Sequence, residues 1–410
     1  MNNPLIRTMP SLETSEPTRR RGLGERLVAG WLGGIRAGRL TVTFPSGAMQ
    51  VFAGAEQGPH AALTIHDMRL VARILFAGDL GFAEGYMAGD WETPDLSALM
   101  AFGVLNEGGL KAPLGGSWPA RLLGRLTHRR HANTRKGSRR NIAAHYDLGN
   151  AFYGLWLDRS MTYSSALFDR LDEPLEQAQR RKYLRLAEML ELAPGDEVLE
   201  IGCGWGGFAE IAAGEFGCRV VCLTLSAEQA VYARARMVRA GLADRVEVRL
   251  QDYRDVAGTF DKIASIEMFE AVGEAYWPRY MNTLRSRLKP GGRAALQVIT
   301  IDDARFESYR RNPDFIQRYV FPGGMLPSPD AFARAARDAG LEIADSHFFG
   351  VSYAETIRRW DASFTANWEA IRAQGFDDRF HRLWRYYLAY CEAGFDTGQI
   401  DVGHILLTRP

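Results

Sequence analysis

Leu199-Glu200-Ile201-Gly202-Cys203-Gly204-Trp205-Gly206-Gly207 is the stretch on which the reading of this chain turns. Glu197–Ile201 is a short β-run, and a helical pattern follows through Phe208–Glu215. Gly202, Gly204 and Gly207 satisfy GxGxxG between the two, and Gly206 also makes the stretch GxGxG. Glycines let the backbone come close to a ligand, and the helix N-terminus offers free N–H groups. By itself the motif suits a nicotinamide dinucleotide or S-adenosylmethionine.

The next residues separate the two. A dinucleotide site wants an acid about 20 residues on, at the end of the second strand. Here that strand, Arg219–Leu223, runs into Thr224-Leu225-Ser226, with no acid before Glu228 inside the following helix. Glu200 stands just before the loop, where a carboxylate meets a cationic amino group. Its plainer reading is a polar strand-end residue. Asp252 follows the third strand, Val246–Leu250, placed to accept from an adenine amine, or else it is a turn residue. The missing ribose acid favours S-adenosylmethionine.

Working outward, strand and helix keep alternating. Ser226 and Gln229 form a capping box for a helix through Ala240. Phe260–Ile266 is a fourth strand, Glu274–Leu288 a helix, and Lys289-Pro290-Gly291-Gly292 a turn into strand Arg293–Thr300. Asp401–Thr408 reads as a final strand. This pattern predicts an α/β fold, a doubly wound Rossmann-like parallel sheet with helices on both faces. Trp360, Phe364 and Trp368 share a helical face, as do Phe380, Trp384 and Tyr387. They read as a core stripe, or as the wall of an apolar site.

Before this domain (141–410) the chain changes character. Residues 1–20 are polar and read as disordered; 21–107 read as a small α+β N-terminal domain. Leu40–Phe44 and Ala48–Ala53 form a hairpin around Pro45-Ser46-Gly47, and Met68–Gly89 is helical with glycine breaks. Residues 108–140 are a basic linker. No acid occurs between Glu107 and Asp147, while Lys111, Arg121, Arg125, Arg129, Arg130, Arg135, Lys136, Arg139 and Arg140 do. With Trp118, Leu122, Leu123 and Leu126 among them, the segment suits an anionic membrane, or simply a solvated linker. Nucleic acid is the weakest of the three readings.

Composition narrows the function classes. The chain has 410 residues, 46% hydrophobic and 24% charged, enough apolar material for a large core. A net charge of +1 argues against a nucleic-acid partner. Four cysteines without a CxxC pair suggest neither a disulfide framework nor zinc, and no metal site is expected. The longest apolar stretches, Leu27–Ile35 and Leu96–Asn106, fall well short of the roughly 20 residues that cross a bilayer. The polar N-terminus suggests no signal peptide.

Several motifs in order resemble the cyclopropane fatty acid synthase family, lipid C-methyltransferases that use S-adenosylmethionine. They are Tyr146-Asp147-Leu148-Gly149-Asn150, Trp156-Leu157-Asp158, Met161-Thr162-Tyr163-Ser164-Ser165, the 199–207 loop, Thr224–Gln229, Gln251–Arg254, Met268-Phe269-Glu270 and Phe321–Pro327. The resemblance covers Asn141 to the C-terminus well and 22–110 more loosely. It implies cofactor contacts at Tyr163, Ser164, Gly202, Gly204, Thr224, Ser226, Gln229, Asp252 and Tyr253, beside Glu200 and Gly206 of the loop. It implies addition of a methylene or methyl to the double bond of unsaturated phospholipid acyl chains. It also implies a cytoplasmic enzyme, peripheral at the inner membrane face, and a homodimer.

The chemistry sets the further demands. An alkene attacks the sulfonium methyl in line, leaving a carbocation that aromatic faces stabilise once water is excluded. A base then removes a proton. Loss from the new methyl closes a cyclopropane; loss from a neighbouring chain carbon leaves a methyl-branched alkene. In well-known relatives the base is a bicarbonate held by Cys, Glu, His and Tyr. Here the resemblance places Glu270 and Tyr353 at the last-named acid and phenol, but Ser165 at the cysteine and Gln297 at the histidine. Ala271 follows Glu270 where many members have His. Ser and Gln still bond an anion, so bicarbonate stays an expected ligand. Glu270 is the expected centre of proton removal. Cys391 aligns with a family cysteine once considered catalytic and reads rather as a buried thiol. A nicotinamide oxidoreductase, a non-catalytic lipid-binding protein and a small-molecule methyltransferase are the rival readings.

Overall fold

Helix α1 (Leu23–Trp31) leads into strands β1 (Ala37–Thr43) and β2 (Met49–Ala53), which pair antiparallel across the expected Pro45-Ser46-Gly47 turn. Strand β3 (Glu56–Ile65) returns parallel to β1. Helices α2 (Arg69–Ala77) and α3 (Asp79–Ala88) break at Gly78, whose φ of +65° only glycine adopts freely. The short β4 (Trp91–Glu92) completes the order β2-β1-β3-β4, and α4 (Leu96–Leu105) covers the sheet. The computed structural model describes residues 22–115, 117, 133, 134, 137, 138 and 148–410. The expected disorder of 1–20 and most of the basic linker therefore lie outside the described residues.

The larger unit has its first long helix at α5 (Leu175–Leu190). Then β5 (Glu197–Ile201), α6 (Gly207–Gly214), β6 (Arg219–Thr224), α7 (Ala227–Arg239), β7 (Val246–Leu250) and β8 (Phe260–Ile266) alternate. After α8 (Trp277–Arg287) come β9 (Leu288–Ile301), α9 (Asp303–Tyr309), α10 (Pro329–Asp338) and β10 (Glu342–Phe348). Helices α11 (Gly350–Ala366), α12 (Trp368–Arg372) and α13 (Asp378–Asp396) precede β11 (Ile400–Thr408). The seven-stranded sheet has the order β10-β11-β9-β8-β5-β6-β7, parallel from β9 to β7 and antiparallel at β11. This is the doubly wound α/β fold that the alternation predicts. Val198–Ile201 is buried throughout, because helices cover both faces of a parallel sheet.

Two local expectations shift. The helix expected from Glu274 starts as a 3-10 turn, Glu274–Tyr276, and becomes α-helical at Trp277, where Pro278 is tolerated in the first turn. The Lys289–Gly292 turn lies inside β9: Phe260 pairs with Leu288 but Lys262 with Arg293, so four residues bulge out of the ladder.

The two units share one core. A continuous apolar cluster joins Leu40, Trp91 and Phe102 to Trp384, Tyr386 and Leu388 of α13. Polar links cross the same seam: Ser97 Oγ donates to Glu392 at 2.5 Å, and Tyr319 OH to Glu84 at 2.5 Å. Within the small unit, fully buried Asn106 ends α4 with all its hydrogen-bonding capacity used. Its Oδ1 accepts from Arg36 N (2.8 Å) and Ala37 N (3.0 Å), and its Nδ2 donates to Ala37 O and Phe102 O (both 2.9 Å). Asn106→Ala leaves buried backbone groups without partners, at about 1–3 kcal/mol each. We expect a loss of about 3 kcal/mol by chemical denaturation; an unchanged midpoint would show that β1 does not depend on this link.

Candidate functional site

The ends of β5, β6, β7 and β8 open on a cleft of about 140 Å³, at the place where an open α/β sheet binds ligands. Tyr163, Ser164, Glu200, Gly202, Gly204, Thr224, Gln229, Asp252 and Tyr253 line it, as the motifs imply. At Gly204 an added Cβ would meet nothing within 4 Å, so the loop faces open space there. Two expected contacts do other work. Gly206 (φ +85°) lets the loop pack on α7, since a Cβ would come within 3.1 Å of Met237 Cε. Ser226 caps α7 by accepting from Gln229 N at 3.2 Å, which turns its hydroxyl to the helix; the reciprocal half of the expected capping box does not form, because Ser226 N donates to Thr224 Oγ1 and Gln229 Oε1 accepts from that same hydroxyl.

The charges of the cleft choose between ligands. Its lining carries the carboxyl groups of Glu200, Asp252 and Glu267 and, among the described residues, no Lys or Arg. That set repels a pyrophosphate and suits a cationic sulfonium bearing an ammonium group. Burial pushes the Glu200 carboxyl up to about 8, and a cation beside it would restore its charge. Asp252 is less free than expected: Arg254 donates to both its oxygens, at 2.8 and 2.5 Å. Arg254 in turn donates to Asn133 O at 3.1 Å, so the pair also holds the cleft wall.

A second cavity, of about 1000 Å³, lies between the two units. Phe76, Leu80, Val104 and Leu114 of the small unit face Ile299, Phe321, Met325, Tyr353, Tyr387, Tyr390 and Cys391 of the large one. It stands at the top of the range of about 300–1,000 Å³ for small-molecule sites. The aromatic stripe divides here. Trp360, Phe364 and Trp384 are core residues, packed edge-on with Phe152 and Trp156. Tyr387 and Tyr390 wall the cavity. Cys391 joins that wall with its thiol pushed far up by burial, hence neutral and poorly nucleophilic.

The two spaces share Asn133, Tyr163, Glu267 and Ala271 as lining. Glu267 ends β8 with a φ of +49°, a left-handed conformation that favours glycine. Its Oε1 accepts from Ser165 N at 2.8 Å and Gln297 Nε2 at 2.7 Å, and its Oε2 from Tyr353 OH at 2.6 Å. Ser165, Gln297 and Tyr353, the expected anion pocket, thus converge on a side chain of the protein itself. Ser165 takes part through its main-chain N–H, while its hydroxyl donates to Ala166 O at 2.8 Å. Behind Gln297, its cross-strand neighbour His404 bonds Gln297 Oε1 at 2.9 Å. Burial drives the His404 pKa well down, so the ring is neutral and donates through Nε2, fixing the amide with its NH2 toward Glu267.

Glu270 faces the large cavity from the next turn. Its Oε1 accepts from Ile299 N at 2.5 Å, and Oε2 is buried without a partner among the described residues. Burial and the charge of Glu267 push it up to about 8. Lys182, fully buried on α5, donates to Ser164 Oγ at 2.6 Å. Burial lowers the Lys182 ammonium and raises the Glu267 carboxyl, and each one's charge opposes the other's shift. Three N–H and O–H donors on Glu267 and no acceptor suit an ionised carboxylate with Lys182 as its counter-charge.

Sequence reasoning missed Glu267, Lys182 and His404. Each left a trace. Glu267 is an acid at the end of a parallel strand. Lys182 falls on the buried stripe of α5, four residues from Ala178 and from Leu186. His404 interrupts the apolar run of β11. Among the described residues no group of three or more His, Cys, Asp or Glu side chains is arranged for a metal ion.

Comparison with known proteins agrees with this geometry. The profile of the mycolic acid cyclopropane synthetase family matches residues 133–405. The chain is 40% identical over 367 residues to tuberculostearic acid methyltransferase UfaA1 of Mycobacterium tuberculosis, covering 87% of this chain and 85% of that protein. It is 36% identical over 339 residues to the cyclopropane-fatty-acyl-phospholipid synthase of Escherichia coli, covering 82% and 85%. Among solved structures it resembles mycolic acid cyclopropane synthase CmaA1 complexed with SAH and CTAB, at 30% identity and a TM-score of 0.62 over 66% of this chain and 98% of that one. The chain belongs to the mycolic acid cyclopropane synthetase family.

Proposed function

We propose that this protein is an S-adenosylmethionine-dependent C-methyltransferase that adds a methylene to the double bond of an unsaturated phospholipid acyl chain. One observation carries the reading: an acid-lined cleft for a cationic donor and a large apolar cavity meet at Tyr163, Glu267 and Ala271. Bound in the cleft, S-adenosylmethionine supplies an electrophilic methyl group on its sulfonium. The chain's residues do the rest. The glycine loop, Thr224 and Gln229 hold the donor, with Glu200 and Asp252 offering counter-charge. Ala271 has only a methyl side chain, which leaves room between the two spaces.

The cavity wall keeps water away and offers aromatic faces to a cationic acyl chain. Tyr163 and Tyr387 are locked together, hydroxyl to hydroxyl, at 2.8 Å. Their rings are thereby held still where the chain would gain charge. Glu270, carrying its proton at neutral pH, is suited to donate a hydrogen bond from Oε2 rather than to accept a proton.

A bilayer source for the acyl chain is part of the proposal. No helix among the described residues is long and apolar enough to cross a membrane. Phe76 lines the cavity yet is 54% exposed, and its neighbour Leu75 is 49% exposed. Ser117 donates to Phe76 O at 2.8 Å, so the start of the basic linker runs beside this apolar rim. Apolar side chains next to a basic segment fit an anionic lipid surface. A methyl-branched product is the second reading, favoured because the M. tuberculosis relative and a Pseudomonas putida one are named as fatty acid methyltransferases, not cyclopropane synthases.

The deciding assay incubates the protein with S-adenosylmethionine and vesicles of an unsaturated anionic phospholipid. Mass spectrometry is expected to show acyl chains one methylene heavier. Proton NMR then separates upfield ring protons from a retained olefinic signal with a new methyl. No mass gain, with tight lipid binding, would replace this reading by a non-catalytic one. Leu75→Asp is expected to weaken co-sedimentation with the same vesicles; unchanged binding would remove the rim from the docking surface.

The protonation of Glu270 has its own test. A carboxyl raised from 4.5 to about 8 binds its proton more tightly in the folded chain. Its contribution to stability is complete below the unfolded value and is lost as pH rises through the folded one. The melting temperature of the wild type should therefore fall relative to Glu270→Gln between about pH 5 and pH 8. Parallel curves across that window would mean that Glu270 is already ionised.

A further inference from the structure

We propose that the Glu267 carboxylate, held between donor cleft and acyl cavity, occupies the anion pocket and is the base of the reaction, in place of bicarbonate. The inference rests on the methyl-transfer reading above. Its geometry is independent of that reading. Ser165 N, Gln297 Nε2 and Tyr353 OH are the donors an anion would need, and all three point at Glu267 within 2.8 Å. A bicarbonate would find them already engaged, so the residues present do not fit it as a resident ligand.

The backbone adds a second argument. Glu267 holds φ at +49°, which a non-glycine residue adopts at a cost. Glycine would relieve that strain, yet a glutamate stands there, and its carboxylate is the group that gains from the placement. Among the described residues Oε2 accepts one hydrogen bond, from Tyr353, and an ionised carboxylate oxygen has room for another.

The step balances without a further reactant. The alkene π-electrons form the new C–C bond as the sulfonium C–S bond breaks, leaving a thioether and an acyl carbocation. Glu267 takes a proton from the new methyl, and the freed electron pair closes the ring. The Glu267 carboxylic acid then returns the proton to solvent when product leaves. The donor is on the Glu267 side of the cavity, so the methyl arrives beside its base.

The experiment uses the full chain, S-adenosylmethionine and unsaturated phospholipid vesicles. In CO2-free buffer the wild type is expected to turn over as fast as with added bicarbonate. Glu267→Gln is expected to lose about 10²–10⁴-fold in kcat at saturating cofactor, the range for a general base. Glu270→Gln, which keeps a hydrogen-bond donor, is expected to lose much less. Glu267→Gly suits the left-handed backbone and should fold; added bicarbonate is expected to restore part of its turnover. A readout apart from catalysis is NMR of isotopically labelled bicarbonate, which is expected to bind Glu267→Gly saturably and the wild type not at all. Bicarbonate-dependent turnover or saturable bicarbonate binding by the wild type overturns the proposal, as does wild-type turnover by Glu267→Gln. A wild type that methylates no lipid overturns the proposed function instead, and the labelled-bicarbonate arm still decides what fills the pocket.

Discussion

A charge buried at the junction of two cavities needs partners from every direction. Removing an ion from water costs several kcal/mol, and the protein recovers this only with good hydrogen bonds and a counter-charge. Glu267 draws these from separate parts of the chain. Ser165 comes from the segment before α5, Lys182 from α5, Gln297 from β9 and Tyr353 from α11. His404 of β11 sets the orientation of Gln297. The antiparallel end of the sheet and the C-terminal helices are thus part of the site, although the glycine loop lies on the other side of β8.

The same junction explains why the small N-terminal unit belongs to the enzyme. A carbocation survives only where water is excluded, and the parallel sheet by itself walls one side of the space. Helices α2, α3 and α4 supply the other side. Their attachment is a shared aromatic and aliphatic core, joined by the Ser97–Glu392 and Tyr319–Glu84 hydrogen bonds, so the wall is fixed. Tyr86 packs on Tyr386 at 5.8 Å and on Trp91 at 4.8 Å, carrying the small unit's core into α13.

Protonation divides the labour of two neighbouring acids. Glu270 and Glu267 are three residues apart, and both are half-buried. Like charges this close disfavour double ionisation, and the charge of Glu267 raises the Glu270 carboxyl further. Among the described residues Glu267 has three donors, with the Lys182 charge nearby, and Glu270 has one backbone N–H. More donors favour the ionised form of an acid, and fewer favour its protonated form. The expectation that Glu270 would centre proton removal followed from resemblance, which could place an acid in the pocket but not count its partners.

Local patterns determined much of this protein. The strand–glycine loop–helix, the Ser226 N-cap, the hairpin at Pro45-Ser46-Gly47 and the alternation of β5 to β8 follow from short-range sterics and periodicity. So does the choice of S-adenosylmethionine, through the acid missing after Thr224. Only the tertiary structure decided which side chains face one another. It turned Trp360 and Trp384 into core while Tyr387 faced the cavity, because Phe152 and Trp156 pack against the first two. It gave Ser165's part to its backbone N–H, tied Asp252 to Arg254, and brought Lys182, Gln297, His404 and Tyr353 around Glu267. Those meetings join residues far apart in the chain, and whether a buried carboxylate is charged depends on the sum of its neighbours, which no local pattern records.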